Sequence, residues 1–136
     1  METAIDFKKY QKCIEEPLFK KMGKVVNVIG LTIESAGPDA RLGDICRIFP
    51  AGGEGVSSMA EVVGFKGGMT QLMPYEVTDG IGSGSIVENT NSPLMVDITD
   101  DILGRTLDGL GRPVDGGTFE TPARYPVEAA PPDPLE

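Results

Sequence analysis

Lys24-Val25-Val26-Asn27-Val28-Ile29-Gly30-Leu31-Thr32-Ile33-Glu34 is the stretch on which the fold turns. It is dense in β-branched residues, which favour the pleated, half-buried surface of a sheet. Gly30 interrupts two runs, Lys24 to Ile29 and Leu31 to Glu34, that otherwise read as one long strand. A glycine in that place predicts a bulge or bend of the kind that lets a small sheet curl shut. Outward from it the same texture recurs in Asp44 to Phe49, Ala60 to Phe65, Met69 to Met73, Gly84 to Glu88 and Leu94 to Ile98. Gly37-Pro38-Asp39, Pro50-Ala51-Gly52-Gly53, Gly67-Gly68 and Thr78-Asp79-Gly80 separate these runs and carry the residues that turns demand. Gly67-Gly68 gives the clearest hairpin signal. Closure would hide sheet edges that otherwise invite aggregation. The expectation is a mainly β protein built on a small closed β-barrel of six or seven strands, with an open sandwich as the second choice.

The flanks differ in texture. From Ala4 to Glu16, Phe7, Tyr10 and Ile14 recur at spacings of three and four, which predicts a short N-terminal helix that Pro17 stops. So short a helix is marginal alone, and its apolar stripe must pack on the body or on another chain. After Ile98, Thr99-Asp100-Asp101 reads as a helix cap with an acidic first turn, cut short by Gly104. From Thr118 onward proline dominates without periodicity, so an irregular Gly/Pro-rich extension ending in an extended linker is expected. The chain thus divides into a helix and linker over 1–23, a barrel over 24–98 and a C-terminal extension over 99–136.

The 136 residues allow one modest domain with appendages. No apolar run approaches the roughly 20 residues that cross a bilayer, and Met1 to Tyr10 lacks the apolar stretch of a signal peptide. The expected compartment is the cytoplasm, with contact to the inner face of the cell membrane peripheral at most. Net charge is −9, and six of the twelve basic residues (Lys8, Lys9, Lys12, Lys20, Lys21, Lys24) precede Val25. The remaining body is strongly acidic and would repel a phosphate backbone, which argues against a nucleic-acid partner. The N-terminal lysines either solvate a face or steer an acidic partner.

Chemical motifs are sparse. There is no histidine, so imidazole bases and the usual triads are excluded within this chain. Cys13 and Cys46 form no Cys-x-x-Cys pair and read as reduced thiols, with Cys46 packed. Gly80-Ile81-Gly82-Ser83-Gly84-Ser85 has the wrong glycine spacing for a dinucleotide fingerprint, and Gly52-Gly53-Glu54-Gly55 lacks the Gly-Lys step of a phosphate loop. Both are read as loops. Glu15-Glu16 and Asp100-Asp101 are sequence neighbours whose side chains diverge, unlike an opposed acid and base. Asp97, Asp100 and Asp101 miss the calcium-loop spacing, and no metal is expected.

The run Gly104-Arg105-Thr106-Leu107-Asp108-Gly109-Leu110-Gly111-Arg112-Pro113-Val114-Asp115-Gly116 resembles the Gly-Arg-x-Leu-Asp-x-x-Gly-x-Pro-x-Asp signature of rotary ATP synthase catalytic subunits and type III secretion ATPases. Val28 to Glu34, Leu42-Gly43-Asp44-Ile45-Cys46 and Ala60 to Phe65 are similar to barrel strands of the flagellar export ATPase, and Pro131-Pro132-x-Pro134-Leu135 resembles the segment before its core. The resemblance covers nearly the whole chain. It implies that about Val25 to Asp97 is an N-terminal barrel that forms a collar in a hexameric ring. The signature residues Gly104, Arg105, Leu107, Asp108, Gly111, Pro113 and Asp115 would open, in a structural role, an incomplete RecA-like ATPase domain. It also implies that Phe7, Tyr10 and Ile14 lie where the family meets a stator-like regulatory partner.

No Gly-x-x-x-x-Gly-Lys-Ser/Thr loop occurs in these residues, so none of the family's ATP-site groups maps onto them. ATP and magnesium are expected in the intact parent, with no cofactor and no catalysis in this piece. Export substrates or chaperones are expected partners of the parent, and weak self-association is expected of the piece. The alternatives are a self-standing β-barrel binding module, or the same region of an F- or V-type synthase subunit.

Overall fold

A computed structural model describes residues 21–130, except 53–54, 77–78 and 121–122. The helix expected over Ala4 to Glu16, with Phe7, Tyr10 and Ile14, lies outside the described residues.

Six antiparallel strands close into a barrel: β1 (Met22–Ile29), β2 (Thr32–Ala36), β3 (Ile45–Phe49), β4 (Ser58–Lys66), β5 (Met69–Pro74) and β6 (Ile86–Asn89). Their order around the barrel is β1-β2-β5-β4-β3-β6, and β6 pairs back onto β1. The expectation of a mainly β chain with a closed barrel therefore holds, with six strands in the ring. Alternation explains which residues line it, because successive side chains on a strand point to opposite faces. Val25, Ile33, Cys46, Ile48, Ala60, Val62, Leu72 and Val87 fill the interior. Burying a large aliphatic side chain of this kind contributes roughly 1.5–3 kcal/mol.

Gly30 plays a different part from the one the sequence suggested. Ile29 pairs with Thr32, so Gly30-Leu31 is a two-residue hairpin loop between antiparallel β1 and β2, not a bend in one long strand. Gly30 has φ 60°, the left-handed conformation such loops need. The bulge lies nearby instead, where the β1–β2 register shifts between Val25 and Asn27. A second register shift, between Val62 and Gly64, bends β4 against β5. The β4–β5 hairpin turns at Gly67-Gly68 as expected, with Lys66 opposite Met69.

Polar groups inside the barrel are paired. Ser35 donates its hydroxyl to Lys24 O at 3.1 Å and lies against Gly37 O, while Ser85 Oγ accepts from Gly82 N at 3.1 Å. Asn89 closes one end: its Nδ2 donates to Asp39 O at 3.0 Å and Asp44 Oδ2 at 3.2 Å, and its Oδ1 accepts from Asn91 N at 2.9 Å. The Gly80–Ser85 stretch is structural, since Gly84 N donates to Val25 O and Val25 N donates to Ser85 O, both at 2.8 Å.

Leu94 to Ile98 does not join the barrel. Its strand β7 (Met95–Ile98) pairs antiparallel with β8 (Ala123–Pro126) in a separate two-stranded sheet. The proline-rich stretch read as linker therefore contains a strand. Pro126 sits at its last position, where a missing backbone donor costs little. Between the two strands, Thr99 caps a single 3-10 turn, Asp100–Ile102, by accepting from Asp101 N at 3.3 Å.

Candidate functional site

Gly104 to Gly117 folds into a compact arch between the 3-10 turn and β8. Leu107 bridges Pro113 in antiparallel fashion, and Val114 N donates to Thr106 O at 2.9 Å, so the two limbs form a minimal ladder. Asp108 organises the tip. Its Oδ1 accepts from Arg112 N at 2.8 Å and Leu110 N at 2.9 Å, the side-chain turn for which aspartate is suited. These donors, Arg112 N foremost, hold the Asp108 carboxyl below the usual carboxylate range.

Arg105 and Asp115 clamp the feet of the arch. Arg105 Nε donates to Asp115 Oδ2 at 3.0 Å and Nη2 donates to Oδ1 at 2.7 Å, a bidentate fork that also reaches Gly116 O. The hydrogen bond lowers the Asp115 carboxyl and raises the Arg105 guanidinium from their ordinary values. The same guanidinium lies 5.2 Å from the centre of the Phe119 ring, within reach of a cation–π contact.

The arch rests on neighbouring structure at two points. Gly111, at φ 78°, lies against Val96 of β7, so closely that an added Cβ would come within 2.7 Å of Val96 Cγ1. Arg112 Nη1 donates to Glu76 Oε1 at 2.5 Å, tying the arch to the segment after β5. Of the seven signature residues singled out, Arg105, Asp108 and Asp115 thus make the arch's side-chain hydrogen bonds. Leu107 and Pro113 bridge its limbs, Gly111 sets its approach to β7, and Gly104 follows the 3-10 turn at φ 79°.

Between the arch, β7–β8 and the outer face of β3 lies a cleft of about 620 Å³. Arg47, Arg112, Arg124 and Asp97 are its charged lining residues. Arg124 Nε lies 3.4 Å from Asp97 Oδ1. The sequence reading missed this cleft, because its basic residues come from positions 47, 112 and 124 and no local motif links them. Among the described residues no cluster of three or more Cys, Asp or Glu is placed to hold a metal ion, and no helix is long and apolar enough to cross a membrane.

The class that the fold and site define is a closed six-stranded β-barrel domain with a clamped glycine arch on its C-terminal side. Residues 25–91 match the ATP synthase alpha/beta family, beta-barrel domain, and the chain belongs to that family. It is 42% identical over 127 residues to a flagellum-specific ATP synthase of Bacillus subtilis, covering 91% of this chain and 29% of that protein. A type 3 secretion system ATPase of Xanthomonas euvesicatoria is 36% identical over 117 residues, covering 85% of this chain and 26% of that protein. Among solved structures, the assembled ATPase EscN in complex with its central stalk EscO, from the enteropathogenic E. coli type III secretion system, superposes with a TM-score of 0.67. Its identity is 30%, over 84% of this chain and 27% of EscN. The chain spans less than a third of the length of these relatives. Residues 25–91 are thus the N-terminal barrel domain of the flagellar and type III secretion ATPases.

Proposed function

We propose that this chain is the oligomerisation and partner-docking region of an ATP-driven flagellar-type protein-export ATPase, itself without catalytic activity. The observation that carries the reading is the continuity of the closed barrel with the Arg105–Asp115 arch. The barrel supplies a rigid body without open edges, suited to a collar, and the arch begins the nucleotide-binding domain of the parent. Phosphate binding needs a ring of backbone donors and a lysine on one rigid loop, and these 136 residues encode no such loop. In the parent, ATP with magnesium would be bound and hydrolysed beyond the arch, to unfold or deliver export substrates at the cytoplasmic face of the membrane. EscN is an assembled ATPase in complex with its central stalk EscO, which supports a reading in which the parent assembles and meets protein partners.

In this reading Phe7, Tyr10 and Ile14 form the face that meets a stator-like regulatory protein. Phe7→Ala combined with Tyr10→Ala weakens co-purification with that partner and leaves the melting temperature of the barrel nearly unchanged. Unchanged partner binding contradicts the docking role, and a sharp fall in melting temperature places these side chains in the core.

A further inference from the structure

We infer that the cleft between the arch and the outer face of β3 is a docking site for an acidic peptide segment with apolar side chains. Three arginines line it against one aspartate, in a chain whose net charge is −9. Glu76 and Asp97 offset Arg112 and Arg124, so the surplus positive charge of the cleft is that of Arg47, which draws an anionic group. Arg47 is the free member of the set. It stands on β3 between Met59 of β4 and Glu88 of β6, and it forms no ion pair with any described residue. Arg112 and Arg124 each meet a single carboxylate, at Glu76 and Asp97, and a guanidinium has five donors. All three retain donors for a carboxylate, which guanidinium recognises through paired hydrogen bonds.

The rest of the lining selects the kind of anion. Met59, Leu94, Met95 and Phe119 contribute apolar surface to the same wall. The Thr90 and Ser92 hydroxyls are already committed, Thr90 Oγ1 to Ile45 O at 2.6 Å and to Ser92 Oγ at 3.1 Å. A bare inorganic anion would leave the apolar wall and most of the volume unused. A peptide that alternates acidic and aliphatic side chains satisfies both: its carboxylates meet the arginines and its aliphatic groups cover Met59, Leu94 and Phe119. The partner is thus a protein with an acidic, leucine-like segment, and docking here does not depend on whether the chain assembles with copies of itself.

The test is fluorescence anisotropy of a labelled peptide of alternating glutamate and leucine, titrated with the 136-residue chain at low ionic strength. The expected result is saturable binding that added salt weakens, and at least tenfold weaker binding of the matched glutamine–leucine peptide. Arg47→Gln is expected to reduce affinity about tenfold without changing the melting temperature, since the Arg47 side chain forms no ion pair with any described residue. Arg124→Gln provides a second, independent variant with the same expected direction. Equal binding of the two peptides, or wild-type affinity in both variants, overturns the proposal. Displacement of the peptide by inorganic pyrophosphate in the concentration range where the peptide itself binds also overturns it, by making the site one for small oxyanions.

Discussion

Gly111 and Val96 are in van der Waals contact across the junction of the arch and β7, and the junction has no room for a side chain at position 111: a Cβ there would lie 2.7 Å from Val96 Cγ1. The glycine also holds a left-handed backbone at φ 78°. Gly111→Ala therefore meets a conformational penalty and a steric one together. We expect a loss of about 2 kcal/mol, the size of a left-handed conformation forced on an L-residue plus repacking of one valine. Hydrogen exchange at Val114, whose amide donates to Thr106 O, should report it locally. Unchanged protection in the variant would count against the docked arch.

Acid should loosen the arch. The Asp108 and Asp115 carboxyls both titrate below their ordinary value in the fold. Their contribution is therefore complete above the unfolded-state value of about 3.9 and is lost as pH falls through the depressed ones. Amide chemical shifts of Leu110 and Arg112, the donors to Asp108, should titrate with a midpoint below that of a free aspartate. A midpoint at or above about 3.9 contradicts the arrangement.

Cys46 sits in the barrel interior, and burial, with the Asp44 charge as a smaller cause, pushes its thiol up to about 11. The thiolate is the reactive form, so at pH 8 iodoacetamide should leave Cys46 unmodified in the folded chain and label it after unfolding. Mass mapping separates it from Cys13. Since the folded thiol holds its proton more tightly than the unfolded one, stability from this group is full below about pH 8.5 and declines as pH climbs through about 11. Rapid labelling of Cys46 under native conditions would contradict a closed barrel.

Gly23 of β1 abuts the Gly37-Pro38 turn, where an added Cβ would lie 2.1 Å from both the carbonyl carbon and the oxygen of Gly37. Backbone cannot step aside as a flexible side chain can. Gly23→Ala should thus destabilise the barrel by more than about 2 kcal/mol in urea unfolding, within the range of severe overpacking. A change under about 0.5 kcal/mol, the ordinary scale for a surface site, would show that β1 can move away from the turn.

The strands were legible because each is a short β-branched run between turn residues, and the ring follows once such runs must hide their edges. Gly30 was misread because the same residue serves a bend and a hairpin loop, and its loop partner Leu31 is not a turn residue. β8 was hidden by Pro126 and by the proline-rich sequence around it, although Pro126 occupies a position where a strand tolerates one. The arch was visible as a motif through Asp108, Gly111 and Asp115, yet its resting place on Val96 is a tertiary fact. The cleft was invisible for the same reason: Arg47, Arg112 and Arg124 meet only after the chain has closed its barrel and returned along β8.

The most direct test of the central claim is sedimentation velocity of the purified chain across a concentration series, from low micromolar to several hundred micromolar. If the chain is the collar region proposed above, a barrel this small would bury little surface against each neighbour, and the expected result is a monomer at the dilute end and reversible, weak self-association at the concentrated end. A tight hexamer that resists high salt, or a chain that stays strictly monomeric throughout, would contradict it.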